Sequence, residues 1–136
     1  LFLLRLIRKK RPSAERGQSL AEFSLVLPIL LLLIIGIVEV GNGLNSYLTV
    51  VDAARDGARL GAKGSASEAQ IKDLIVKEAE RLPNGVDPTA IAVDITSSEV
   101  TVQVCYDHPL IVGLPPIIPD PLTLCSTTSM PSSGGP

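Results

Sequence analysis

The chain contains a single histidine, His108, and no tryptophan. A catalytic triad, or a zinc site built on histidines, draws its groups from several separate segments. His108 stands beside Pro109, with Asp107 on its other side, and is expected in a loop. Neighbours in sequence rarely form a catalytic pair, because nucleophile, base and orienter converge from different elements. Cysteine is almost as scarce. Cys105 and Cys125 are the only two, with no C-x-x-C and no Cys/His spacing suited to a metal. The Gly-rich phosphate loop, H-E-x-x-H and G-x-S-x-G motifs are also missing. These absences argue against an enzyme, a bound cofactor and a small-molecule substrate, and they leave a structural protein as the expectation.

Charge is missing from one long stretch. Phe23 to Val38, "FSLVLPILLLLIIGIV", holds no charged residue. Extended to Leu20–Val40, the run forms about 31 Å of helix at ~1.5 Å per residue. That matches a bilayer core of about 30 Å. Glu22 and Glu39 then fall at the two ends of the span, where a charge costs far less than the ~2.5–3.5 kcal/mol of the bilayer centre. A buried helix in a soluble domain is the alternative, but the rest of the chain is too small to wrap such a helix on all sides. A secretory signal peptide shares the layout. This run is longer than the usual apolar region, and Gly41 and Gly43 match an A-x-A cleavage site poorly.

What charge there is falls unevenly. Residues 1–17 carry Arg5, Arg8, Lys9, Lys10, Arg11 and Arg16 against one acid, Glu15, while the whole chain has a net charge of −2. The remainder is therefore acidic. Positive charge before an apolar span keeps that side in the cytoplasm, so the C-terminal part is expected outside, with the cytoplasmic membrane as its anchor. An acidic outer domain beside a membrane span makes nucleic acid an improbable partner for the basic leader.

Local signals divide the rest. Ser19 and Glu22 have the spacing of a capping box at a helix start. Pro28 should kink the helix, which membrane helices tolerate. Gly41, Asn42 and Gly43 suggest a hinge or a loose helical turn. Helical periodicity resumes through Leu44, Leu48 and Val51 and ends at Gly64. Asp52, Arg55, Asp56 and Arg59 have i, i+3 and i+4 spacing, as expected of a solvated charged face. Two rows of small residues run along this helix: Ala53, Gly57 and Gly61, and Ala54, Ala58 and Ala62. Such rows let a second backbone approach closely, so they suit either a neighbouring subunit or the domain's own sheet. A second helix begins near Ser67 as N-cap and ends at Pro83–Gly85. "AIAVDIT" and "EVTVQVCY" alternate like half-buried strands and form a hairpin. Asp107–Pro121 is a proline-rich apolar loop, and "LTLCSTTSM" is a third strand.

The expected fold is α+β. It has a basic leader at 1–17, a transmembrane helix and Gly hinge at 18–43, an α+β domain at 44–130 and a disordered tail at 131–136. Outside the cytoplasm Cys105 and Cys125 can bridge, and the third strand brings them side by side. Two free thiols are the alternative.

"RGQSLAEFSLVLPILLLLIIGIVEVGNGLNSYLTVVDAARDGARLGA", Arg16 to Ala62, resembles the TadE-like family of pseudopilins. The Glu-Phe run into Leu-Pro, the "GIVEVG" exit and the "AARDGARLGA" helix carry the resemblance. It implies a tight-adherence pilus system and a precursor that prepilin peptidase trims and an assembly platform extracts. It further implies other pilin-like subunits, or copies of the chain itself, as filament partners. By that resemblance Gly17 and Gln18 are the cleavage pair. Glu22, the fifth residue after the cut, sets register by pairing with a new amine. A minor pseudopilin is the leading expectation. The rivals are a main filament subunit and a static single-pass anchor presenting a small binding domain.

Overall fold

A computed structural model of the chain describes residues 13–113 and 120–133. The leader residues Arg5 to Arg11, the middle of the proline-rich loop and the last three residues lie outside that range. The chain forms two compact units, Leu1–Ile37 and Val38–Pro136.

One helix, α1, runs from Ser13 to Ala62 and includes Pro28. It starts six residues before Ser19. The Ser19–Glu22 capping box therefore does not form, because a cap needs free N-terminal amides and those of an interior turn are already bonded. Gly41, Asn42 and Gly43 are helical as well. Each glycine costs about 1 kcal/mol relative to alanine, which is too little to break a helix held on both sides.

Within the first unit the large apolar side chains of α1 face outward. Phe23 is 58% and Leu25 74% exposed, and none of the most apolar window of the helix is buried.

The second unit has its own core. Ser67 caps α2 (Glu68–Glu78) through a reciprocal capping box with Gln70, as its sequence position suggests. A 3-10 turn at Ala79–Arg81 follows, and Gly85 takes a positive φ of 62°. Asp87 opens a second 3-10 turn at Pro88–Ala90 by accepting bonds from the Thr89 amide and hydroxyl. Three strands then form an antiparallel sheet in the order β1 (Ile91–Ile95), β2 (Glu99–His108), β3 (Leu122–Pro131). With its long N-terminal helix, short second helix and antiparallel sheet, the chain is α+β.

Strand β2 shows why the sheet packs as it does. Val100, Val102, Val104, Tyr106 and His108 alternate on one face and are all buried. The first four meet Ile71 and Ile75 of α2 and Val50, Ala53, Ala54 and Ala58 of α1 in a single core. The chain then closes back on α1. The Ser133 amide and hydroxyl both donate to the Ala62 carbonyl, at 2.8 and 2.7 Å. They satisfy one of the acceptors that a helix end leaves open. Pro131 belongs to β3 and the Ser132 amide bonds the Ser98 carbonyl. The expected disordered tail therefore does not include residues 131–133.

Candidate processing and assembly site

Gly17, Gln18 and Glu22 lie on the exposed N-terminal stretch of α1. No side chain approaches Gly17 within 4 Å of where a Cβ would sit. The Gln18 side-chain amide donates to Glu22 Oε1 at 3.3 Å, one helical turn along. In the intact chain, then, the glutamate already has a local partner. The scissile candidate, the Gly17–Gln18 peptide, is itself helical.

The small-residue rows are not a free surface. Ala53, Ala54, Gly57, Ala58 and Gly61 are buried and Ala62 is half-buried. A Cβ on Gly57 would lie 2.7 Å from Ile75 Cδ1, and one on Gly61 would lie 2.7 Å from Val100 Cγ1. Of the two readings of these rows, the geometry takes the internal one: α2 and β2 need glycine there to reach α1. Asp52, Arg55, Asp56 and Arg59 are exposed.

A disulfide joins Cys105 and Cys125, which stand directly opposite each other on β2 and β3. It closes a loop of 20 residues around the proline-rich connection.

His108 is not a loop residue. It ends β2, is 4% exposed, and neither ring nitrogen has a hydrogen-bond partner among the described residues. The signal was in the sequence: the period-2 pattern of Val100, Val102, Val104 and Tyr106 continues to His108. Asp107 points the other way and accepts from the Thr123 hydroxyl at 2.7 Å, so the two neighbours cannot act together. His108 lines an apolar cleft of about 390 Å³ with Glu39, Leu44, Tyr47, Leu110 and Leu122 among others. Glu39 Oε1 accepts the Val112 amide at 2.6 Å, while its Oε2 is buried without a partner. Sequence reasoning placed Glu39 at the end of the span and missed this tie, which crosses 73 residues of chain. No cluster of three or more metal-ligating side chains occurs among the described residues.

No curated protein and no solved structure matches the chain significantly. Residues 17–59 match the family described as TadE-like protein. That family is a structural, pilus-associated one of tight-adherence systems, and with α1 long and apolar enough to cross a membrane it points to a single-pass membrane protein. Over this helix, about a third of the chain, the sequence is similar to the TadE-like family.

Proposed function

We propose that the chain is a minor pseudopilin taking part in assembly of a tight-adherence pilus. The basic leader stays in the cytoplasm and the disulfide-bearing domain lies outside. Prepilin peptidase cuts between Gly17 and Gln18, and an assembly platform extracts the trimmed subunit. Its role is structural, and its partners are the membrane and other pilin-like subunits.

The observation that carries this reading is the family match over 17–59, on a helix whose apolar side chains are unburied by the chain itself. Such a helix needs lipid before extraction and other helices after it. Glu22 serves the second state. In the intact chain it accepts from the neutral Gln18 amide. A cut after Gly17 creates an ammonium at Gln18, and a charge-assisted bond from that group on a neighbouring subunit is stronger than the neutral one. At the membrane edge an unpaired carboxylate is costly, so the pairing sets axial register.

Glu22→Gln tests the role of the charge. Glutamine keeps the helix and a hydrogen-bond acceptor but cannot pair as an ion. The variant is expected to accumulate and insert at parental levels while pili are lost. Normal piliation at normal protein levels would remove Glu22 from the assembly role.

A further inference from the structure

We propose that the stretch just after β2, at Ile111 and Val112, is a second membrane contact, in which these two side chains dip into the lipid headgroup layer beside the emerging helix. The inference rests on the reading of α1 as a membrane span, and it commits to a lipid surface as the partner.

Three observations meet at this loop. The first is position. The apolar run ends at Val40, and Glu39 accepts the Val112 amide at 2.6 Å. The loop is therefore pinned at the level where the helix leaves the bilayer core. The core is about 30 Å thick and the bilayer with its headgroups about 40–45 Å, so each headgroup layer spans roughly 5–8 Å. Leu44 and Tyr47 lie one to two turns beyond Val40, about 6 and 10 Å along the axis. Leu44 falls inside that layer and Tyr47 lies just past its outer edge.

The second observation is surface chemistry. Ile111 is 61% and Val112 39% exposed, and on the helix Val40, Leu44, Tyr47 and Leu48 are exposed as well. Exposed apolar side chains thus flank both sides of the Glu39–Val112 tie in sequence. The opposite end of the sheet differs: the β1–β2 turn carries Thr96, Ser97, Ser98 and Glu99.

The third is the charge. A carboxylate at the edge of the bilayer core needs donors. The Val112 amide supplies one to Glu39 Oε1, while Oε2 remains unpartnered. Holding this bond keeps the loop at the interface.

The test uses the full chain in nanodiscs of phosphatidylethanolamine and phosphatidylglycerol, one copy per disc. Both native cysteines are in the disulfide, so Ile111→Cys, Val112→Cys, Ser98→Cys and Leu30→Cys each offer one thiol for a bimane label. Lipids carry a quencher near the headgroup or at the end of the acyl chain. The label at Ile111 or Val112 should lose fluorescence to the headgroup quencher and be spared by the deep one. The label at Leu30 should lose it to the deep quencher. The label at Ser98, about 30 Å along β2, should respond to neither. Quenching at Leu30 without quenching at Ile111 and Val112 would overturn the proposal and leave the span intact. No quenching at Leu30 would overturn the span and the proposal with it. A blue-shifted but unquenched label at Ile111 would mean that protein covers the loop, which also overturns it.

Discussion

Gly36 and Gly57 are the same residue in the same helix, and they mark two different reasons for that helix to exist. Around Gly36 there is nothing within 4 Å of a would-be Cβ, whereas at Gly57 the Ile75 side chain stands 2.7 Å away. The first stretch of α1 carries large apolar side chains that none of the described residues covers. The second carries small ones pressed against α2 and β2. Burial of apolar area stabilises by about 25 cal/mol per Å². In the second stretch that term is satisfied by the domain, and in the first it is not supplied by any of the described residues. One secondary structure thus serves an anchor that looks for partners and a scaffold that already has them.

The sharpest way to break this comparison is to place leucine at both glycines, in the full chain in detergent. Gly57→Leu forces a branched side chain into a gap too small for a methyl group. Over-packing costs about 1–3 kcal/mol and occasionally more, and here loss of cooperative melting is expected. Gly36→Leu should leave the melting of the domain unchanged. Equal effects at the two sites would mean that the halves are not distinct.

Removing the bridge comes next. Cys105→Ala with Cys125→Ala should lower stability by about 3 kcal/mol, as the chain-entropy argument gives for a loop of this length. Intact mass after alkylation, with and without reductant, reports the bridge itself. Two freely alkylated cysteines in the unreduced native chain would remove it from the account.

A smaller effect is expected at the boundary between the two stretches. Glu39→Leu leaves the Val112 amide without its acceptor, a loss of about 1–3 kcal/mol if that amide stays dry. Glu39→Gln retains an oxygen and should lose less. Amide hydrogen exchange at Val112 distinguishes the two variants.

The smallest effect concerns acid. The bonds from the Thr89 hydroxyl and amide hold the Asp87 carboxyl below its ordinary value of 3.8. A lowered folded value means that the unfolded chain takes up the proton first. The contribution of Asp87 is therefore complete above the ordinary carboxylate range and disappears as pH falls through the lowered value. A small decrease in melting temperature over that acid window should be absent in Asp87→Ala.

The strands and α2 were legible because their signals are local. Alternation in "EVTVQVCY" and the spacing of Ser67 and Gln70 each specify an element by themselves. The start of α1 was not legible. Ser19 and Glu22 have cap spacing, yet the upstream residues Ser13 to Arg16 extend the helix and override it. The glycines at 41 and 43 misled for a non-local reason. Glu39 is tied to Val112, and a Cβ on Gly43 would lie 4.0 Å from the His108 ring. Both partners lie more than sixty residues away in sequence, so no window around the glycines could show them. Gly17 and Gln18 are proposed as the cleavage pair on resemblance alone, since nothing in their packing singles them out.

The central claim is that this helix is a pilin-like segment that begins its working life at Gln18. It is tested most directly by the N-terminal residue of the chain isolated from its native envelope, read by mass spectrometry in cells with and without prepilin peptidase. The account predicts Gln18 at the N-terminus when the peptidase is present and the leader retained when it is deleted. A leader still attached in both strains, with pili intact, would contradict it.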